Sequence, residues 1–270
     1  MIVGQTDLDA FKKRAVQPTS KKTRHLLLIR HGQYDETYPE DSKRKLTELG
    51  IEQAKYTGQR IRQLFEGGFH DDNDDVVDHS AVPMSQRGRC HIKAIHTSDM
   101  ARAKETADII QSYLPTSIPR TEPDPLLNEA LPSPMIPIRP DIPNASQEID
   151  NNHDRIEQVF HKYVYRDMAS APAKRDGGGG GGGGDSETAT TDDVTDEFEI
   201  IVGHGNVIRY MFCRALQLPP EAWLRLSILN CSITYIVIRP NGIVGARMLG
   251  DIGHIPYNRS TFSNCYGYKW

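Results

Sequence analysis

The sequence predicts an α/β protein with a mostly parallel central sheet, helices on both faces and two flexible insertions. Three short, largely apolar runs predict the central strands: Leu26–Ile29, Ile92–Ser98 and Phe198–Gly203. The first run contains no polar residue, which is typical of a strand buried on both faces of a parallel sheet. Helical patterns follow the runs, so strands and helices alternate along the chain.

Composition narrows the class of protein. The chain has 270 residues, of which 37% are hydrophobic, and this is enough for a sizeable core. A net charge of -4 gives no sign of a nucleic-acid binder. No segment has the apolar length of a transmembrane helix or the apolar core of a secretory signal. The four cysteines lack the paired spacing of a metal site and are too few for a disulfide framework in a chain this long, so we expect a reducing compartment.

The first two helices are predicted from their starts and their periodicity. Thr47 is a suitable N-cap for a helix that runs to about Phe65. One face of this helix carries Leu49, Gln53, Tyr56, Arg60 and Leu64. After the second strand, a helix is expected over Met100–Tyr113, which places Arg102 in its first turn, next to the carboxyl end of the strand.

A proline-rich loop and a third helix follow. Five prolines between residues 132 and 143 exclude a helix there, so the loop should drape over the domain rather than enter its core. A lid over the site and a plain surface connection are both open interpretations. The next helix is predicted over Ser146–Met168, with an apolar stripe at Ile149, Ile156, Val159, Phe160, Tyr163 and Val164.

Two stretches have the composition of insertions. Residues 66–90 are rich in Asp, Gly, Asn and Ser, and we assign no metal site to their acidic patch. Residues 169–197 contain the glycine run Gly177–Gly184, which loses too much entropy on ordering to fold as a helix or strand. We expect both to interrupt one domain, over residues 25–254, between an extension at 1–24 and a tail at 255–270.

The third strand ends in His204-Gly205-Asn206, and a helix is predicted over Val207–Leu216. The backbone N–H groups of Gly205 and Asn206 should therefore face an anion beside His204. Farther along, Pro240-Asn241-Gly242 predicts the turn of a hairpin between two apolar segments.

These junctions predict a phosphate site. The carboxyl ends of parallel strands meet at one sheet edge, which should gather Arg30, His31, Arg102 and His204. Two arginines and two histidines around one point repel each other unless an anion lies between them, and phosphate fits this geometry. A histidine suits the nucleophile and an arginine suits the clamp.

Four motifs in this chain resemble the histidine phosphatase superfamily, which has the phosphoglycerate mutase-like fold. They are Leu28–Gly32, Leu46–Ala54, His96–Ala107 and His204–Arg209. Within the superfamily, Leu216–Ser227 and Val237–Gly242 are similar to a subgroup of mitochondrial serine/threonine phosphatases. The resemblance spans most of the chain outside the two insertions.

The resemblance implies a role for each site residue. His31 would be the nucleophile that becomes phosphohistidine, and Glu129 would be the general acid. Arg30, Arg102, His204 and Gly205 would bind the phosphoryl oxygens. We also expect no metal and no cofactor, since the two arginines and the second histidine supply the positive charge. Asn128 departs from the subgroup, which tends to carry arginine at this position.

The implied function is a protein serine/threonine phosphatase, with phosphorylated proteins as substrates. A mutase or small-metabolite phosphatase, and a weakly active scaffold for phosphorylated partners, are the alternatives. We find no second set of cations beyond the four phosphate-binding groups, and this favours peptides over phosphoglycerate. The subgroup implies a mitochondrial location, but its usual membrane anchor is not found before Arg24, so a cytosolic location stays open. Homo-oligomerisation also stays open.

Overall fold

A computed structural model describes residues 22–66, 91–165 and 196–262. In these ranges the chain forms a mixed sheet with the strand order β2-β3-β1-β4-β5. The strands are β1 (Arg24–Arg30), β2 (His91–Thr97), β3 (Glu197–Gly203), β4 (Ile233–Ile238) and β5 (Val244–Asp251). The helices are α1 (Glu48–Glu66), α2 (Ala101–Gln111), α3 (Ala145–Tyr163) and α4 (Gly205–Ala215).

Strand β1 lies at the centre of the sheet, and all of its residues are buried. It pairs in parallel with β3, which in turn pairs in parallel with β2. On its other side β1 pairs with β4, and β4 pairs with β5, both antiparallel. The predicted parallel core and the predicted hairpin are therefore both confirmed. Gly242 adopts φ 78° in the hairpin turn, a conformation that glycine allows at little cost.

Helices cover both faces of the sheet, as predicted. Helices α3 and α4 pack on one face, where the largest hydrophobic cluster includes Leu26, Leu28, Ile156, Val159, Ile208 and Phe212. Helices α1 and α2 pack on the other face, with Leu27, Ile29, Ile61, Ile110, Ile200 and Val202. Because alternate residues of β1 point to opposite faces, this one strand contributes to both clusters.

The boundaries of two helices differ from the prediction. Helix α3 ends at Tyr163 and not at Met168, because the chain turns to place the carbonyl oxygens of Tyr163 and Tyr165 against the Arg24 guanidinium, at 3.1 and 2.9 Å. Helix α4 begins at Gly205, two residues before the predicted start. This earlier start leaves no loop between β3 and α4 beyond His204.

The predicted face of α1 is wrong, although its start is right. Thr47 caps the helix by accepting the backbone N–H of Gly50 at 3.1 Å. The buried residues are Gly50, Gln53, Ala54, Thr57, Gly58 and Ile61, whereas the other predicted residues are only partly buried. Small side chains let the helix approach closely, and a Cβ at Gly50 would collide with the carbonyl oxygen of Gln33.

The proline-rich loop also corrects an expectation. Instead of draping over the domain, it buries Leu131, Met135 and Ile142 in a separate cluster with Ile149 and Trp223. The Trp223 indole donates to the carbonyl oxygen of Ser133 at 2.9 Å. Prolines prevent a helix in this loop, but the apolar residues between them still gain free energy by burial.

The two predicted insertions lie outside the described residues, except at their margins. Glu66 is the last residue of α1, and Glu197 is the first of β3. Most of the predicted extension, and residues 263–270 of the predicted tail, also lie outside the described ranges. Within those ranges, no helix combines the length and the apolar character needed to span a membrane.

Candidate active site

The sheet register places the two predicted catalytic histidines side by side. Arg30 and Gly203, the last residues of β1 and β3, are paired partners. The next residue of each strand is a histidine, and the His31 N–H donates to the Gly203 carbonyl oxygen at 3.0 Å. The ring centroids of His31 and His204 are 5.0 Å apart. Both rings are buried, so the parallel pairing itself assembles the centre of the site.

Hydrogen bonds fix the tautomer of His31. Its Nδ1 lies 2.8 Å from the carbonyl oxygen of Gly32, which can only accept, so Nδ1 carries the hydrogen. The Nε of Arg102 donates to His31 Nε2 at 3.2 Å. Nε2 is therefore the nitrogen with a lone pair. Burial, followed by the charges of Arg102 and Arg30, lowers the pKa of His31 well below its usual range, which keeps the ring neutral and nucleophilic.

Arg102 is held from several sides. It lies in the first turn of α2, as predicted, and is buried. Its Nη1 donates to the Asp41 carboxylate at 3.0 Å, and its guanidinium lies 4.6 Å from the centre of the Tyr34 ring. Asp41 also accepts the Ala101 N–H at 2.9 Å and so binds the start of the helix. These contacts leave the Nε–H of Arg102 directed at His31.

Arg30 and His204 complete the predicted cationic set. Arg30 is buried and donates from Nη1 to the carbonyl oxygen of Ile228 at 2.7 Å. The Nε2 of His204 lies 2.8 Å from the Ser98 hydroxyl. Among the described residues, His204 Nδ1 is a buried polar atom with no hydrogen-bond partner. Burial and then the charge of Arg102 lower the pKa of His204 well below its usual range.

Glu129 enters the site from the loop that precedes α3. Its Oε2 accepts the backbone N–H of Asn206 at 3.3 Å. The sequence predicts that this N–H faces an anion beside His204, and in the structure it donates to the Glu129 side chain. Burial raises the pKa of Glu129, although the charges of Arg102 and Arg30 act in the opposite direction. A raised pKa favours the protonated form, which is the form that a general acid needs.

A cavity of about 310 Å³ joins these groups. Five predicted residues line it: Arg30, His31, Arg102, Glu129 and Gly205. His204 is fully buried next to His31. Sequence reasoning missed other lining residues, among them Tyr34, Glu36, Arg44 and Arg209. Asn206 also lines the cavity, and the sequence predicted a part in the site only for its backbone N–H. No group of His, Cys, Asp or Glu residues in the described part of the chain could hold a metal ion.

Arg44 and Arg209 correct the expectation that the site has no second set of cations. Arg209 is buried in α4 and donates to the Asn206 side chain at 2.9 Å and to the Leu226 carbonyl oxygen at 2.7 Å. Burial and then the charge of Arg30 lower its pKa to about 10. Asn206 and Arg209, spaced i and i+3, are polar residues in an otherwise apolar stretch of helix, and this spacing was the available signal.

Comparison with known proteins identifies the superfamily to which the chain belongs. The profile of the histidine phosphatase superfamily (branch 1) matches residues 188–249. A solved structure, Bacillus stearothermophilus YhfR, shares the fold with a TM-score of 0.52 at 19% identity, over 86% of this chain and all of that one. With the relatives described next, which are 35% and 39% identical over almost the whole chain, the profile match shows that this chain belongs to the histidine phosphatase superfamily.

These relatives are named serine/threonine-protein phosphatase Pgam5, mitochondrial. The Caenorhabditis elegans protein is 35% identical over 259 residues, which cover 96% of this chain and 74% of the relative. The Rattus norvegicus protein is 39% identical over 256 residues, which cover 94% of this chain and 72% of the relative.

Proposed function

We propose that this protein is a phosphoric monoester hydrolase that removes phosphate from serine and threonine residues of proteins through a phosphohistidine at His31. The observation that carries the proposal is the geometry of His31. Its Nδ1–H is held by the Gly32 carbonyl oxygen, and its Nε2 lone pair lies beside Arg102 in a buried, cationic cavity. A neutral imidazole with one fixed lone pair is suited to attack phosphorus.

In the first step, His31 Nε2 attacks the phosphorus atom, and the bond from phosphorus to the seryl or threonyl oxygen breaks. Glu129 gives its proton to the leaving oxygen, so that an alcohol leaves. Burial raises the pKa of Glu129, and this favours the protonated form that the step requires.

In the second step, the Glu129 carboxylate takes a proton from water, and the water oxygen attacks the phosphorus atom of phosphohistidine. The phosphorus–nitrogen bond breaks, its electron pair returns to Nε2, and inorganic phosphate leaves. Glu129 is then protonated again, and the site is ready for another turnover.

Arg30, Arg102, His204 and the helix start at Gly205 would bind the phosphoryl oxygens in both steps. Negative charge is spread over these oxygens in the transition state, and groups that are already fixed stabilise it without reorganising. Arg102 is fixed by Asp41 and Tyr34, and Arg30 by the Ile228 carbonyl oxygen.

Protein substrates are favoured by the relatives, whose names state serine/threonine-protein phosphatase activity. Arg44 and Arg209 support a second candidate, a small phosphate ester with another anionic group, because both arginines line the cavity. We propose a mitochondrial location on the same comparison. We also propose that residues 25–254 form one phosphatase domain and that no metal or cofactor takes part.

The test compares three substrates with one preparation of the whole chain. Released phosphate is measured with a phosphoseryl peptide, its phosphothreonyl counterpart and 3-phosphoglycerate. In parallel, the reacting protein is denatured without acid, so that any phosphohistidine survives and can be detected. We expect the greater kcat/KM on the peptides, together with a labelled histidine that base preserves and acid removes. Faster isomerisation of phosphoglycerate would replace the protein phosphatase with a mutase, and turnover without phosphohistidine would remove the mechanism.

A further inference from the structure

Asn128 directly precedes the proposed general acid, Glu129, and contacts Ser98 and Asp99 between β2 and α2. Its Oδ1 accepts the backbone N–H of Asp99 at 3.1 Å. Since a backbone N–H can only donate, this contact identifies the atom as the amide oxygen and not the amide nitrogen. The same Oδ1 lies 2.6 Å from the Ser98 hydroxyl oxygen. The one hydrogen of that hydroxyl therefore points at Asn128.

The direction of the Ser98 hydrogen determines what His204 can do. The Ser98 oxygen already accepts the Met100 N–H at 3.2 Å, and its remaining lone pair faces His204 Nε2 at 2.8 Å. With its hydrogen given to Asn128, Ser98 can only accept from the imidazole. Nε2 must then carry a hydrogen. The lone pair of the neutral ring lies on Nδ1, the buried atom without a hydrogen-bond partner among the described residues.

The carbonyl groups around Asn128 are fixed as well. Arg155, on α3, donates from Nη1 to the carbonyl oxygens of Leu126 and Asn128, at 2.5 and 2.9 Å. Glu129 is the next residue along the chain. The same support therefore places both the Asn128 side chain and the proposed general acid.

We propose that Asn128 is a positioning residue that fixes the proton on His204 Nε2, so that His204 binds a phosphoryl oxygen through Nδ1 and takes up a second proton to do so. The inference rests on the proposed phosphohistidine function, in which His204 binds that oxygen. A neutral ring offers a lone pair at Nδ1, which repels an anion. The bound form is the imidazolium, which adds a positive charge where the transition state needs one.

The charged groups around His204 make this uptake depend on the anion. Arg30 and His31 face it from the end of β1, Arg102 from α2 and Arg155 from α3, and all of them disfavour a further positive charge. An oxyanion in the cavity reverses that balance. Proton uptake and oxyanion binding should therefore occur together.

The first test reads the tautomer directly. Nitrogen-15 spectra of the imidazole in the whole chain should show a protonated Nε2 and an unprotonated Nδ1 at His204. In Asn128→Leu the Ser98 hydroxyl is free to turn toward His204, so we expect a mixture of both tautomers. Ser98→Ala removes the other member of the pair and should give the same mixture. Asn128→Asp keeps an acceptor oxygen and should restore the wild-type spectrum.

The second test measures protons with tungstate, an oxyanion that has no proton to give at pH 8. Titration calorimetry in buffers of different ionisation enthalpy gives the number of protons taken up on binding. We expect Asn128→Leu to take up fewer protons than the wild type, by up to about one per site. Its kcat on a phosphoseryl peptide should fall about tenfold with little change in KM.

Thr234→Val is the matched control. It removes another buried hydroxyl, which accepts the Gly250 N–H at 3.0 Å, and should change neither the tautomer nor the proton count. An unchanged His204 tautomer in both Asn128→Leu and Ser98→Ala would overturn the inference, and so would an unchanged proton count. The tautomer is measured without turnover, so an inactive wild type with the expected spectrum would count against the proposed function alone.

Discussion

Two carboxyl groups in this protein lie among arginines and histidines, but their pKa values are shifted in opposite directions. Glu199, toward the amino end of β3, accepts directly from Arg24 at 2.5 Å and from His96 at 3.1 Å. Burial alone would raise the pKa of Glu199, but the hydrogen bonds and the Arg24 charge outweigh burial and lower the pKa to about 2. Glu129 accepts a backbone N–H, and burial raises its pKa.

This difference indicates a structural role for Glu199 and fits the proposed catalytic role of Glu129. A carboxylate that binds cations directly stays ionised and ties strands together. A carboxyl group whose pKa is raised by burial favours its protonated form and can give the proton away. We call Arg24, His96 and Glu199 the balanced set, because the Glu199 carboxylate accepts from both of the other side chains. Substitutions in the balanced set should therefore affect stability, and substitutions of the site residues at the carboxyl edge of the sheet should affect turnover.

The largest effect is expected at His31. His31→Ala removes the nucleophile, so turnover should fall by about 10⁴-fold or more, and phosphohistidine should vanish from the trapped protein. His96→Ala is the matched change in the balanced set and should retain turnover within about twofold. An undiminished yield of phosphohistidine in His31→Ala would contradict the assignment of His31 as the nucleophile.

The next effect concerns Glu129. Glu129→Gln cannot give a proton, so kcat on a phosphoseryl peptide should fall about 10³-fold, with a smaller loss on an aryl phosphate whose leaving group needs no proton. In the wild type, activity should rise as pH rises through the lowered pKa of His31. It should be lost as pH rises further through the raised pKa of Glu129. Glu129→Gln should lose this basic limb, and a basic limb that persists in it must come from another group.

A smaller loss is expected at Arg102. Arg102→Ala removes the donor that faces His31 Nε2, so kcat/KM should fall about 10²-fold, while some phosphohistidine still forms. Arg102→Lys keeps the charge without the guanidinium geometry and should recover only part of the rate. Full recovery in Arg102→Lys would show that charge alone is needed.

The smallest effect on turnover belongs to Glu199. Glu199→Gln leaves Arg24 without its buried partner charge and should lower the free energy of unfolding by about 3 kcal/mol at neutral pH, with kcat within about twofold. The folded-state pKa lies below the unfolded one, so the Glu199 contribution is present above pH 4.5 and lost as pH falls toward 2. Urea unfolding at several pH values should show the gap between variant and wild type narrowing in acid. A constant gap would mean that charge is not the cause.

Much of the fold followed from local patterns in the sequence. Leu26–Ile29 predicted a strand buried on both faces, and its parallel pairing then brought His31 and His204 together. The predicted face of α1 was wrong because periodicity counts large side chains. That helix instead buries Gly50, Ala54 and Gly58, whose small size determines how closely the helix packs.

Part of the site could not be predicted in the same way. Asp41 and Arg44 lie in a polar loop with no periodicity, and only the folded chain places them beside Arg102 or the cavity. Asn128 was noticed as a departure from a family pattern. Its contact with Ser98 joins residues 30 positions apart, and no local rule relates them.

The topology also shows at which edge of the sheet the two predicted insertions rejoin the described chain. Helix α1 ends and β2 begins on either side of residues 67–90, and residues 166–195 lie between α3 and β3. Both stretches rejoin the sheet at the amino end of a strand, whereas the cavity lies at the carboxyl ends. A fluorophore or an affinity tag attached directly before His91 or Glu197 would thus lie at the edge opposite the chemistry.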